Sequence, residues 1–446
     1  MQYQIPENID PQKVFLVRKS ELLDRFDAQY YKEHFDFSNF TRLSHYVTIQ
    51  GGKRIPKGEG YSFDTTPYLY LRVADITEES AVGYSKLKCI DEKIFKILEK
   101  YEIHENEIAI SIAGTIGKVL LVKNVPTDKR IILTENCAKL IVRGDRLIPE
   151  YLSIVLRISI LQKQMMLNYI QTTIPKIGLD RIGKLMIPNI PSRAKQEEII
   201  AYYNEAVEEQ KAKNKESQQL LDSINDYLLE ELGITLPNIE MGLDNRIIII
   251  PFSQLQGRRM DPLFMLSWGK NAVSSKYDSI SLGKIADISK GNALTSKDAI
   301  PGPIPVIAGG QTSPYSHNVA NFQGNVITVS ASGAYSGYVW YHREPIFATD
   351  CSVVKSKDED DYLTEYIFEV LKLQQKSIYW LQTGAAQPHV YASDLKDLVI
   401  PDIPLSQQRA IVEHVREMRQ RANSLCEEGK QILQQANREV EQMILG

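Results

Sequence analysis

The chain has 446 residues, 43% of them hydrophobic and 24% charged. That is more than one domain normally holds, with the balance of an ordinary globular protein rather than of a disordered, collagen-like or wholly coiled-coil chain. Its 52 basic and 56 acidic side chains leave a net charge of −4, which argues against a uniformly basic nucleic-acid coat but not against local basic sites.

Along the chain, the opening MQYQIPENID lacks the charged and apolar blocks of a secretory signal. The densest apolar run, around residues 247–250, falls far short of the ~18–20 residues of a membrane helix. Cys89, Cys137, Cys351 and Cys426 stand far apart and form no C-x-x-C, so buried reduced thiols in a cytoplasmic protein are expected rather than a zinc site or a disulfide framework.

The first chemistry-bearing segment is the loop at residues 51–58, GGKRIPKG, whose cations Lys53, Arg54 and Lys57 could reach phosphates or guanine edges. A strand-like run at 67–72 closes on Arg72. The turn Gly114-Thr115-Ile116-Gly117-Lys118 resembles a phosphate loop, but Val119 stands where that motif needs Ser or Thr. A polar loop at 172–176 presents Thr173 and ends on Lys176. A short apolar run then leads into Ile-Pro-Asn-Ile-Pro at 187–191.

A helix is expected over 192–232, with Ser192 as N-cap, Gly233 as stop and Pro237 beyond it. Its seam steps by threes and fours through Ile200, Tyr203 and Val207, then polar Gln210, Asn214 and Ser217, then Leu221, Ile224 and Leu228. Forty-one residues make roughly 60 Å at ~1.5 Å each, against about 30–40 Å for a domain of ~170 residues. Such a helix needs a partner outside its own domain.

The second half repeats these signals in the same order. Residues 259–261 answer 25–27, 303–307 answer 67–72, 330–333 answer 111–114, 348–351 answer 134–137, and 382–389 answer 172–176. Ile-Pro-Asp-Ile-Pro at 400–404 introduces a second long helix with the seam Ile411, Val415, Met418, Ala422, Leu425, Gly429, Ile432, Ala436, Val440, Met443. The reading is an α+β chain of two mixed α/β globular units, 1–191 and 237–404. A central helix with its linker (192–236) and a C-terminal helix (405–446) pair as an antiparallel coiled coil. By segment the net charge is +4 over 1–191, −5 over 192–236, −3 over 237–404 and zero over 405–446, so most of the excess acid belongs to a helix, as a solvated face.

No catalytic signature emerges. No G-x-G-x-x-G opens a helix, no N-P-P-[FY] or D-P-P-Y occurs, and the seven histidines form neither H-x-H nor H-E-x-x-H. Neither a catalytic nor a metal site is expected. In the second copy the candidate DNA contacts are Lys290, Asn292, Gln311, Thr312, Ser332, Tyr335, Gln387 and His389. Asn and Gln pair with adenine, as Arg and Lys do with guanine. An ordinary exposed turn remains the alternative at each of these positions. For the −3 second unit, local cations such as Lys284, Lys290 and Arg343, or a partner that clamps the DNA, would have to supply phosphate neutralisation.

In its order of Gly52-Lys53-Arg54-Ile55-Pro56-Lys57-Gly58, the run 70–76, the run 110–118, Gly384-Ala-Ala-Gln387-Pro388-His389 and the two Ile-Pro-x-Ile-Pro helix leads, the chain resembles the specificity subunit of a Type I restriction–modification enzyme. The resemblance implies two target recognition domains, each reading half of a bipartite DNA site. It also implies two long helices that dock two methyltransferase subunits. The chain itself would carry no catalysis and no cofactor. S-adenosylmethionine for adenine methylation would sit in the methyltransferase partner, and ATP and Mg in restriction subunits where these are present. The competing readings are a stand-alone DNA-modifying enzyme and a protein–protein adaptor.

Overall fold

The computed structural model describes residues 37–77, 83–168, 175–236, 274–384 and 386–446, together with residues 10, 14, 16, 17 and 19. Thr173 and the matched segments 25–27 and 259–261 lie outside the described residues. The chain forms two compact units, one of residues 1–211 and 429–446 and the other of 212–428.

In the first unit the elements run β1 (Phe40–Arg42), β2 (Val47–Gly51), β3 (Tyr68–Leu71), β4 (Lys88–Cys89), α1 (Glu92–Leu98), β5 (Glu102–Ile103), β6 (Ile108–Ser111), β7 (Val119–Leu121), β8 (Arg130–Leu133) and β9 (Cys137–Val142). Then follow α2 (Pro149–Val155), α3 (Ser159–Asn168), α4 (Leu179–Gly183), β10 (Met186–Pro188) and the start of α5 (Arg193–Leu232). One antiparallel sheet has the order β2-β9-β6-β7, and a second has β4-β3-β8-β5 with β3 and β8 parallel. β6 is buried on both faces, which suits its Ile-Ala-Ile composition. β1 and β10 pair antiparallel, Phe40 opposite Pro188, tying the body's start to its end. Leu43, Ile108, Leu140, Tyr151, Ile187, Ile199, Tyr203 and Val440 share one apolar core, so the unit packs on its stretches of both long helices.

The second unit repeats this plan with β11 (Ser279–Ser281), α6 (Leu282–Ile285), β12 (Ala286–Lys290), β13 (Ile304–Ile307), β14 (Ser316–His317), β15 (Val326–Ser330), β16 (Val339–His342), β17 (Phe347–Ala348) and β18 (Cys351–Ser356). α7 (Thr364–Leu373), α8 (Gln375–Tyr379), α9 (Ala392–Leu395), β19 (Val399–Pro401) and α10 (Leu405–Leu445) complete it. The order β12-β18-β15-β16 is that of β2-β9-β6-β7, β13 and β17 are parallel as β3 and β8 are, and β11 pairs β19 as β1 pairs β10. Even single side chains recur. Gln196, fully buried near the start of α5, accepts from Ile148 N (2.9 Å) and donates to Arg146 O (2.9 Å) and Pro191 O (3.1 Å). Gln408, in the same place on α10, accepts from Leu363 N (2.9 Å) and donates to Asp361 O (2.9 Å) and Ile403 O (3.0 Å).

Both ends of α5 follow from the sequence. Ser192 Oγ accepts from Lys195 N at 3.4 Å, a loose N-cap. Gly233 has φ +57°, and Ile234 N donates to Leu229 O at 2.9 Å, the left-handed exit that glycine permits. Lys213 with Glu428 (2.8 Å), Ser217 Oγ donating to Ala422 O (2.8 Å), and the Tyr227 and His414 rings (4.4 Å) show α5 and α10 running antiparallel in the second unit. In the first unit Tyr202 Oη donates to Glu439.

Of the expected seam, Tyr203, Ile224, Leu228, Ile411, Val415 and Leu425 are buried, and Val207, Met418 and Ile432 half-buried. Leu221 is the correction: it stands 36% exposed, because the pair closes there on Ser217, whose hydroxyl draws the helices together at the Ala422 carbonyl. All four cysteines are free thiols. Cys137 and Cys351 are buried at matching places, whereas Cys89 and Cys426 are only half-buried.

Candidate nucleic-acid interface

In the first unit the loops at one end of the strands converge. Where the chain leaves β2, Gly52 N donates to Cys137 O and Lys53 N to Leu133 O, both at 2.9 Å. A Cβ on Gly52 would lie 2.0 Å from Thr134 O, so only glycine passes here. The loop beyond exposes Lys53, Arg54 and Lys57. Arg54 Nε donates to Glu135 at 2.6 Å. Burial pushes the Glu135 carboxyl up, but Arg54, its own backbone N–H and Thr134 together hold it below the usual carboxylate range.

Arg72 follows the last residue of β3. Its backbone N and its Nε both donate to Asp75 Oδ2 at 2.9 Å, and Nη2 donates to Oδ1 at 2.6 Å. The guanidinium lies 5.7 Å from the centre of the Tyr61 ring. The turn after β6 uses Gly114 (φ +76°) and Gly117 (φ +87°). Ser111 Oγ braces it, donating to Thr115 O (2.6 Å) and accepting from Lys118 N (2.8 Å). Lys118 Nζ donates to Ile76 O at 2.8 Å. Gly114 N donates to Pro175 O at 3.0 Å and Ala113 bridges to Lys176, which sets the loop carrying Lys176 beside the turn.

Arg54, Tyr61, Tyr70, Arg72, Thr115 and Lys118 thus line one groove of about 510 Å³, with Asn136 and Glu135 in its wall. Four residues singled out from the sequence, Arg54, Arg72, Thr115 and Lys118, meet there. Lys53 and Lys176 stand on adjoining loops and Lys57 further along the first loop. Sequence reasoning missed Tyr61, Asp75 and Glu135. The recurrence of 134–137 as 348–351 was the one signal that could have pointed to Glu135.

The second unit has the same frame with different side chains. Gly291 N donates to Cys351 O (3.0 Å) and Asn292 N to Ala348 O (2.9 Å), and a Cβ on Gly291 would lie 2.2 Å from Thr349 O. Gly333 (φ +85°) donates to Pro388 O at 3.0 Å, and Ser332 bridges to His389. Ser332 Oγ donates to Asp350. Lys290, Asn292, Gln311, Thr312, Tyr335 and Gln387 are exposed. By these bonds Asn292 stands where Lys53 does, Ala308 where Arg72 does, Tyr338 where Lys118 does and His389 where Lys176 does. The local cations expected here, Lys284, Lys290 and Arg343, are all exposed, and Arg343 also meets Glu365 at 2.8 Å.

A family model described as the Type I restriction modification DNA specificity domain matches residues 38–221 and 274–434. The chain belongs to this family. As a Type I specificity subunit it is the DNA-recognition component of a restriction–modification complex. No curated protein sequence matches it. Among solved structures, a chain from a study of complex assembly and conformational transition of the Type I R-M system aligns with a TM-score of 0.51 and 14% identity. It covers 91% of this chain and 96% of that one. The Type I S subunit from M. genitalium aligns over 91% and 95% at 16% identity and TM-score 0.44. The HsdS subunit from Thermoanaerobacter tengcongensis aligns over 91% and 96% at 14% identity and TM-score 0.38. Among the described residues of the specificity subunit, no helix is long and apolar enough to cross a membrane.

Proposed function

We propose that each unit reads one half of a bipartite duplex site through the loops described above, and that the chain is a non-catalytic cytoplasmic scaffold. The N-terminal unit would use 1–191 and the C-terminal unit 237–404 for reading, leaving the two long helices to hold two methyltransferase subunits. S-adenosylmethionine belongs in those subunits, which methylate adenine. ATP and Mg belong in restriction subunits where the host has them. The observation that carries this reading is the duplicated loop frame, Gly52 with the Gly114 turn and Gly291 with the Gly333 turn, built twice with different side chains. Two copies of one frame that differ at the loop positions are what a reader of two unlike half-sites requires.

A gel shift on duplex DNA tests it. The chain with its methyltransferase shifts a duplex carrying the bipartite site, and the purified chain alone with S-adenosylmethionine transfers no methyl group. Methyl transfer by the chain alone would make it an enzyme. Assembly with the methyltransferase but no sequence preference would make it an adaptor.

A further inference from the structure

We propose that Arg72 reads a guanine in the half-site of the N-terminal unit, with Asp75 as its positioning residue. The inference rests on the reading that this unit binds duplex DNA. Asp75 grips one side of the guanidinium through Nε and Nη2, and accepts from the Arg72 backbone N as well. This clamp leaves the other edge of the guanidinium, Nη1 and the second N–H of Nη2, untouched by the carboxylate. Two parallel donors at that spacing match two adjacent acceptors. In the major groove guanine offers such a pair, O6 and N7, whereas adenine offers an acceptor beside a donor and thymine one acceptor beside a methyl group.

Phosphate also offers paired oxygens, but the positions favour the base. Arg72 has one third of its side chain exposed (33%) and is held at three points beside Tyr61. Arg54 is held by Glu135 at Nε and is 78% exposed. Such a loosely held, solvated cation suits the backbone of DNA, and a fixed fork in a groove suits a base edge. Ala308 stands at the matching place of the second unit, so this mode of reading belongs to one half-site.

The test is competition binding by the complex with its methyltransferase, using duplexes with each base pair of the recognised site replaced in turn. Wild type should discriminate a G·C pair at one position of one half-site. Arg72→Ala should lower that discrimination roughly 5- to 150-fold and leave the other positions unchanged. Asp75→Asn should weaken it at the same position by less. Arg72→Lys keeps the charge without the fork and should relax the same single position to a smaller extent, so a folding failure of Arg72→Ala does not end the test. A uniform loss over all duplexes with a shallower salt dependence makes Arg72 a phosphate contact and overturns the proposal. So does relaxation at an A·T pair, or no change. Wild type that prefers no duplex would instead overturn the DNA-reading function itself.

Discussion

Gly52 follows β2 and Gly291 follows β12, at matching places of the two units. Residues 51–58 read as a flexible loop, yet Gly52 is pressed against the Thr134 carbonyl and Gly291 against that of Thr349. Glycine is needed for close approach rather than for freedom, and one sequence gives no sign of what approaches. Gly52→Ala should destabilise the unit by about 3 kcal/mol through overpacking against backbone, read as a lowered urea midpoint. Gly58→Ala has open space around it and costs only the strain of a positive φ. A second residue, His342, is buried against Thr328 (2.8 Å) with its pKa pushed down by burial to about 4. Unfolding lets it titrate near 6.5, so its neutral form favours folding above that pH, and the benefit is lost as pH falls from 6.5 towards 4. Wild type should therefore lose up to about 3 kcal/mol more than His342→Asn over that window, measured by urea titration at several pH values.

Between elements, the helices were legible and their docking was not. Heptad spacing gave α5 and α10 to within a residue or two, and every apolar seam position but Leu221 is buried or half-buried, because a 3.6-residue period projects directly onto one face. Leu221 is expected in the seam but stands exposed, because the pair narrows at Ser217. The ion pairs that dock α10 on α7 are invisible in sequence, their partners lying some fifty residues apart. Arg419 meets Glu369, and Arg416 meets Glu365, with both carboxylates buried. Burial pushes the Glu369 carboxyl above its usual range even with Arg419 against it, whereas Glu365, which Arg416 and Arg343 both engage, lies below. Arg419→Met leaves a buried carboxyl unpaired and should cost about 3–5 kcal/mol, most of it recovered in the Arg419→Met, Glu369→Leu double variant. Thermal and urea unfolding of the four-member cycle measure it.

For the whole molecule, net charge proved a poor guide and duplication a good one. The repeated order of short motifs was readable because each marks a fixed point of the frame: a glycine exit, a left-handed turn, a helix lead. The side chains on that frame are what the repeat leaves free, and the structure gathers cations at one groove and neutral groups at its counterpart. The −4 of the chain averages the two with an acidic helix. Accordingly, Lys53→Gln with Lys57→Gln should reduce the slope of log affinity against log salt by up to about 0.9 for each phosphate that is no longer neutralised. Asn292→Ala should leave that slope unchanged, whatever it does to sequence preference. Salt titration of the assembled complex separates the two outcomes.

The central claim, that the two units read two halves of one DNA site for an adenine methyltransferase, is tested most directly by methylome sequencing of cells carrying this chain with its methyltransferase. The account predicts methyladenine in a two-part motif with an unread gap, in which substitutions at Arg72 alter one part and substitutions at Asn292 or Gln387 alter the other. Methylation confined to one contiguous motif, or an unchanged pattern when the chain is removed, would contradict it.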